Sequence, residues 1–181
     1  MNFFKKNSSS VLFICFILAI SSCTKQKSKL AEYGSTVEKI MRSETGAFRG
    51  YNLGDQLDSV KAKETATPVE IDEGYLYYEY KIDDTTGSYS ISYNFDETGL
   101  NEIQSDIFIN NADNADKLYD SFKSYFDAHY GESEVNMGYN IWTVKSEKYG
   151  DVKINLSDES ADLTVDKSPS KISIWIYPDK N

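Results

Sequence analysis

Residues 88–95 read Ser-Tyr-Ser-Ile-Ser-Tyr-Asn-Phe, an unbroken alternation of polar and apolar side chains. A chain with that period can bury every second residue only as a β-strand. One face of the strand must meet a core and the other must meet water, which is the pattern of an antiparallel sheet rather than a parallel one. The flanking segments fit the same sheet. Leu76, Tyr78, Tyr80 and Ile82 share one parity, and Ile103, Ile107 and Ile109 share another run. Asp83-Asp84-Thr85-Thr86-Gly87 and Asp96-Glu97-Thr98-Gly99 supply the turns between them. A three-stranded meander over the first half is therefore predicted.

The second half repeats the theme after a helix. Leu118, Phe122, Tyr125, Phe126 and His129 form one stripe at helical spacing, which predicts a helix from about Asp113 to His129 stopped by Gly131. Strands follow at Tyr139 to Val144 and at Val152, Ile154 and Leu156. A last strand carries Ile172, Ile174 and Ile176 against Ser173, Trp175 and Tyr177. The segment Asp158 to Ser170 reads as a loop with a short strand around Leu163 and Val165. Ahead of the first meander, Val37, Ile40 and Met41 predict a short helix over 31–43. A second start falls at Asn52 to Val60, with Asp55 as cap, Asp58 at the positive end of the dipole, Leu53, Leu57 and Val60 on one face, and Pro68 as stop. The expected fold is α+β: a tandem helix plus three-stranded antiparallel meander, with the helices packed on one face of the sheet. The two αβββ halves would span about 48–110 and 111–181, within a domain over 48–181.

The N-terminus carries a different pattern. Lys5 and Lys6 precede a polar stretch and the apolar run Val11 to Ile20, followed by Ser21-Ser22-Cys23. The apolar run is shorter than the about 20 residues a membrane-spanning helix needs. The whole resembles a bacterial lipoprotein signal peptide with its lipobox, although Ile20 and Ser22 depart from the commonest lipobox residues. The resemblance implies cleavage of residues 1–22 and lipid on Cys23, thus attachment to a membrane. Each buried acyl CH₂ contributes about 0.8 kcal/mol, so more than one chain gives stable anchoring. Residues 24–30 are polar and basic and read as a flexible tether, with 23–47 lying outside the expected domain. Surface-exported lipoproteins of the Bacteroidetes carry acidic residues after the cysteine. The basic tether here implies instead an outer-membrane protein facing the periplasm.

Removing residues 1–22 takes Lys5 and Lys6 and no acid, leaving 17 basic and 29 acidic residues, a net charge of 17 − 29 = −12. Such an acidic chain, with Arg42 and Arg49 its only arginines, is a poor match for nucleic acid. It is also repelled by anionic lipid, so the domain is expected to stand off the membrane. Cys23 would be the one remaining cysteine and His129 the one histidine, which leaves no disulfide framework and no zinc ligand set. No cofactor is expected.

At the level of element order the chain also resembles the tandem repeat of the beta-lactamase inhibitor protein and of the SmpA/OmlA outer-membrane lipoproteins. Leu53-Gly54, Leu57, Val60, Pro68, Tyr78 and Tyr80 carry the likeness in the first half, and Leu118, Phe122, Tyr130-Gly131 and Trp142 in the second. Ala66 stands where that family's first helix has glycine. The resemblance implies inhibition of an enzyme as one function.

No nucleophile, phosphate-loop or metal motif appears, so a non-enzymatic protein is expected. His129 lacks a nucleophile partner, which makes a packed or surface histidine the expectation. Asn111, Asp113, Asn114 and Asp116 lack the glycine and glutamate of a calcium loop and read as a helix cap. Most of the 14 tyrosines and two tryptophans lie at strand positions, where core and cross-strand packing is the expectation. Tyr75, Tyr77, Trp175 and Tyr177 fall on the opposite parity, and these four are the candidate binding surface. Thr85, within Asp84-Thr85-Thr86, resembles the O-glycosylation motif of Bacteroidetes proteins. The expected function is display of an α+β domain to a protein partner in the cell envelope. Capture of a glycan or small ligand is the alternative, and enzyme inhibition the next.

Overall fold

A computed structural model describes residues 28–83, 85–160 and 169–179. The signal segment, Cys23 and the strand expected around Leu163 and Val165 lie outside the described residues.

A single eight-stranded antiparallel sheet organises the chain. The helices are α1 (Ser35–Met41), α2 (Leu57–Lys63) and α3 (Ala112–Tyr130). The strands are β1 (Glu70–Asp72), β2 (Tyr75–Asp83), β3 (Gly87–Asp96), β4 (Gly99–Ile109), β5 (Glu134–Asn136), β6 (Tyr139–Ser146), β7 (Gly150–Asp158) and β8 (Ser170–Pro178). Their order across the sheet is β1-β2-β3-β4-β8-β7-β6-β5. Two four-stranded meanders thus run outward from a central pair.

This corrects the expectation of a tandem helix plus three-stranded meander. The halves are not separate units, because β4 and β8 pair from Ile103↔Ile176 to Ile109↔Ser170 and fuse them into one sheet. Nor do the halves have matching helices: the first has the seven-residue α2, the second the 19-residue α3, and α1 lies ahead of both. Each meander also has a fourth strand, β1 or β5, whose three residues are all exposed. Without a buried side these edge strands carry no period-2 signal.

The alternation of residues 88–95 does what strand geometry requires. Tyr89, Ile91 and Tyr93 are buried, and their neighbours point away. A row of side chains on that buried face crosses six strands: Leu76, Tyr93, Ile103, Ile176, Ile154 and Trp142, none more than 1 % exposed. Gly87 opens β3 at φ 148°, and a Cβ there would sit 1.9 Å from the Phe108 carbonyl oxygen, so no side chain is accommodated at that turn.

The 19-residue α3 covers the second half of this face. Leu118, Phe122, Tyr125 and Phe126 are buried, and the Phe126 ring centroid lies 5.1 Å from that of Trp142. The Trp142 indole N–H donates to Asp127 Oδ1 and to the Gly131 carbonyl, both at 3.0 Å, pinning the helix end to β6. Asn111 caps the other end, its side-chain oxygen accepting from the Asn114 amide at 3.1 Å. Asp55 does not cap α2. It accepts instead from the Asn52 amide at 3.2 Å, and the helix starts two residues later, at Leu57, with no side-chain cap.

The N-terminal segment belongs to the core. A 3-10 turn over Lys29–Tyr33 and α1 are separated at Gly34, where φ is 107°. Leu30, Val37, Ile40 and Met41 are buried in the same cluster as the sheet residues. Folded structure therefore begins well before residue 48, and Ser28, the first described residue, is only five chain steps beyond Cys23. That stretch reaches at most about 17 Å when fully extended.

Candidate functional site

Adjacent residues on a strand face opposite ways, so the register of the buried row fixes a second row on the other face. One residue along each strand stand Tyr77, Ser92, Gln104, Trp175, Asn155 and Ile141. No described helix covers this face. All four aromatic residues that the sequence places there do lie on it. Tyr75 and Tyr77 stack with ring centroids 6.4 Å apart and planes 6° from parallel. Trp175 and Tyr177 have centroids 4.3 Å apart. The pairs sit on β2 and β8, three strand spacings or about 14 Å apart. Between them run Ser90, Ser92, Asn94, Glu102, Gln104 and Asp106, a polar trough rather than a core.

The trough is internally hydrogen-bonded. The Tyr75 hydroxyl and Ser92 Oγ are 3.1 Å apart, and Asn94 donates to Glu102 at 2.7 Å. Ser173 Oγ donates to Asp106 Oδ1 at 2.8 Å. Lys171 bridges two acids, 2.7 Å from Glu159 and 3.4 Å from Asp106. Partial burial favours loss of the Lys171 proton, but the hydrogen bond to Glu159 and the charge of Asp106 override it and raise its pKa.

Three depressions open along this face. One of about 410 Å³ is bounded by Tyr77, Glu79, Lys81, Ser88, Ser90 and Phe108, together with Tyr80 and Tyr89. A second of about 310 Å³ lies at Asn101, Glu102, Tyr177 and Pro178. The third, about 210 Å³, is formed by Gln104, Tyr139, Asn155, Ser157, Glu159, Ser173 and Trp175. Trp175 is 39 % exposed and Tyr139 37 %. Sequence reading placed Tyr139 in a strand but missed it as a surface residue. Its parity with Ile141 and Thr143 was the available signal.

A different polar cluster lies on the covered face. Glu64, at the end of α2, and Arg49 have fully buried side chains. Arg49 donates to Glu64 Oε1 at 3.1 Å through Nε and to Oε2 at 2.9 Å through Nη2. The carboxylate also accepts from Arg42 at 2.6 Å, from the Tyr80 hydroxyl at 2.6 Å and from the Tyr93 hydroxyl at 2.6 Å. Burial pushes the Glu64 carboxyl up, but the Arg49 guanidinium and the Tyr80 and Tyr93 hydroxyls more than offset this and hold it at about 2. Burial, followed by the Glu64 charge, raises Tyr93. Both carboxylate oxygens and all three guanidinium nitrogens of the ion pair are engaged within the protein, Nη1 by the Ile40 carbonyl, so this cluster fastens the 40–64 segment onto β2 and β3. The arginines were read in the sequence only as a scarcity of positive charge.

His129 is exposed at the end of α3, its Nδ1 2.8 Å from the Tyr125 carbonyl oxygen. Thr85 is exposed in the β2–β3 turn, and its hydroxyl donates to Asp83 Oδ1 at 2.9 Å. The Thr86 hydroxyl and the Thr85 and Thr86 amides hold the Asp83 carboxyl below the usual carboxylate range. Among the described residues no group of three or more His, Cys, Asp or Glu side chains is placed to hold a metal ion. No family model, curated protein or solved structure matches the chain.

Proposed function

We propose that the chain is a lipid-anchored, non-catalytic binding protein of a bacterial envelope, and that it acts through the uncovered face of its sheet. The observation that carries this reading is the placement of Tyr75, Tyr77, Trp175 and Tyr177 together on a face that no described helix covers. Aromatic residues contribute most to stability when buried, yet these four stand at the edge of water beside a polar trough. Tyrosine and tryptophan in that setting are the residues that anchor binding partners.

The anchoring half of the proposal rests on Lys5, Lys6, the Val11 to Ile20 run and Cys23. The basic residues after Cys23 favour the periplasmic side of the outer membrane. Lipid on Cys23 would confine the domain to within about 17 Å of the bilayer surface. Confinement raises the effective concentration of the open face towards other envelope components without any new contact.

A photoreactive residue in place of Ser92, on the open face, and another in place of Asp116, on exposed α3, test this in whole cells. Crosslinks to an envelope component from position 92 alone, lost in Cys23→Ala, are expected. Equal capture from both positions, or capture indifferent to Cys23, contradicts the proposal.

A further inference from the structure

The 210 Å³ depression beside Trp175 has a chemistry of its own. Its floor is β7, where Asn155 and Ser157 point to the open face and are only 7 % and 5 % exposed. Trp175 on β8 and Tyr139 on β6 stand on either side, two strand spacings or about 10 Å apart. Asn155 donates through Nδ2 to the Tyr177 hydroxyl at 3.1 Å, while its Oδ1 is buried with no hydrogen-bond partner. A buried carbonyl oxygen left unpaired is costly, and ligand sites are where such groups find their partner.

Ligand classes can be weighed against these walls. The volume lies below the about 300–1,000 Å³ of pockets that enclose a drug-sized molecule, so the site takes one ring and leaves its substituents outside. A wholly apolar ring would leave Asn155 Oδ1 without a partner. An anionic ring would meet Glu159 and Asp106, and the nearby cations are already engaged, Lys171 by those two acids and Lys153 by Asp179. A neutral polyhydroxylated ring satisfies both constraints. Its C–H face can lie against the exposed indole while its hydroxyls donate to Asn155 Oδ1 and exchange hydrogen bonds with Gln104 and Ser157. We infer that this pocket binds one pyranose ring of a neutral glycan, stacked on Trp175, with the glycan continuing along the polar trough towards Tyr77. The inference rests on the open face being the binding surface.

The test uses the full-length, lipidated chain in a sugar-free zwitterionic detergent. Neutral tetrasaccharides of glucose, galactose and mannose in α and β linkage are the probes, with a uronic-acid tetrasaccharide as the charged contrast. Trp142 is 1 % exposed and Trp175 39 %, so acrylamide quenching of tryptophan emission reports on Trp175. At least one neutral probe should shield Trp175 from quenching, and the uronic-acid probe should not. Trp175→Ala should weaken calorimetric binding by about tenfold or more, equivalent to ~1.4 kcal/mol, with little change in melting temperature. Should that variant fail to fold, Gln104→Ala is expected to weaken binding in the same assay. Binding of the charged probe as tight as the neutral ones, or binding indifferent to both substitutions, overturns the inference. Silence of every neutral probe, together with position-92 crosslinks to a protein in cells, overturns the glycan but leaves the open face as the binding surface. Silence in both experiments removes both readings.

Discussion

The two faces of this sheet are built from the same strands, one residue out of step, and they answer to different demands. The covered row of Leu76, Tyr93, Ile103, Ile176, Ile154 and Trp142 is dry, and its residues fill the space beneath the helices. The open row of Tyr77, Ser92, Gln104, Trp175, Asn155 and Ile141 mixes aromatic and small polar groups that no packing requirement explains. A solvated sheet face needs only polar side chains to be stable. Large aromatics stand there in two pairs, one stacked and one tilted, which is why we propose that face as the binding surface. The stability of the molecule belongs to the other.

That division can be broken by substitution. The largest loss is expected for Glu64→Ala, which leaves Arg49 charged and buried without its partner, at about 3–5 kcal/mol. Urea unfolding should show a lowered midpoint with little change in slope. Phe126→Ala removes the ring between α3 and Trp142 and should cost a similar about 3–5 kcal/mol.

Two tyrosines on the covered face make a finer contrast. The Tyr93 hydroxyl donates to the Glu64 carboxylate, and Tyr93→Phe should cost about 1.5–3 kcal/mol, the worth of a hydrogen bond to a charged group. The Tyr78 hydroxyl is buried with no hydrogen-bond partner, so Tyr78→Phe should be neutral or stabilising. A destabilised Tyr78→Phe would show that its hydroxyl is engaged after all.

Acid separates the faces as well. The Glu64 carboxyl is held at about 2 in the fold against an ordinary value of 4.5. A lowered carboxyl contributes its full stabilisation above the ordinary value and loses it as the pH falls through the folded one. Glu64→Gln should therefore be less stable than the parent at neutral pH, and the gap should close as the pH drops from 4.5 towards 2. A constant gap across that window would place the contribution of Glu64 in packing rather than charge. The open face should contribute little to stability: Trp175→Ala should cost about 1 kcal/mol or less, the loss of one aromatic pair.

Much of the covered face was legible because alternation is local. Tyr89, Ile91 and Tyr93 announce their own strand, and Leu118, Phe122, Tyr125 and Phe126 their own helix. The same rule, read on the opposite parity, located Tyr75, Tyr77, Trp175 and Tyr177. Other features depend on what meets what in space. Nothing in the alternation of Ile172, Ile174 and Ile176 says that they pair with Ile107, Ser105 and Ile103, so the fusion of two meanders into one sheet was out of reach. Glu70 to Asp72 and Glu134 to Asn136 are exposed edges, with no buried side to leave a trace. The Glu64 cluster gathers Arg42, Arg49, Tyr80 and Tyr93 from four separate stretches of chain, and no spacing encodes it. Leu30 sits among polar and basic residues that read as tether, and its burial comes only from α1 and α3 packing against it.

The most direct measurement is hydroxyl-radical footprinting of the native protein in intact cells against the same protein purified. It reads occupancy of the open face without presuming what occupies it. The account predicts that Tyr77 and Trp175 are oxidised less in cells than in purified protein, while His129 on the opposite side is oxidised equally in both. Equal oxidation of all three residues in the two settings would show the open face vacant where it is meant to act, and would contradict the account.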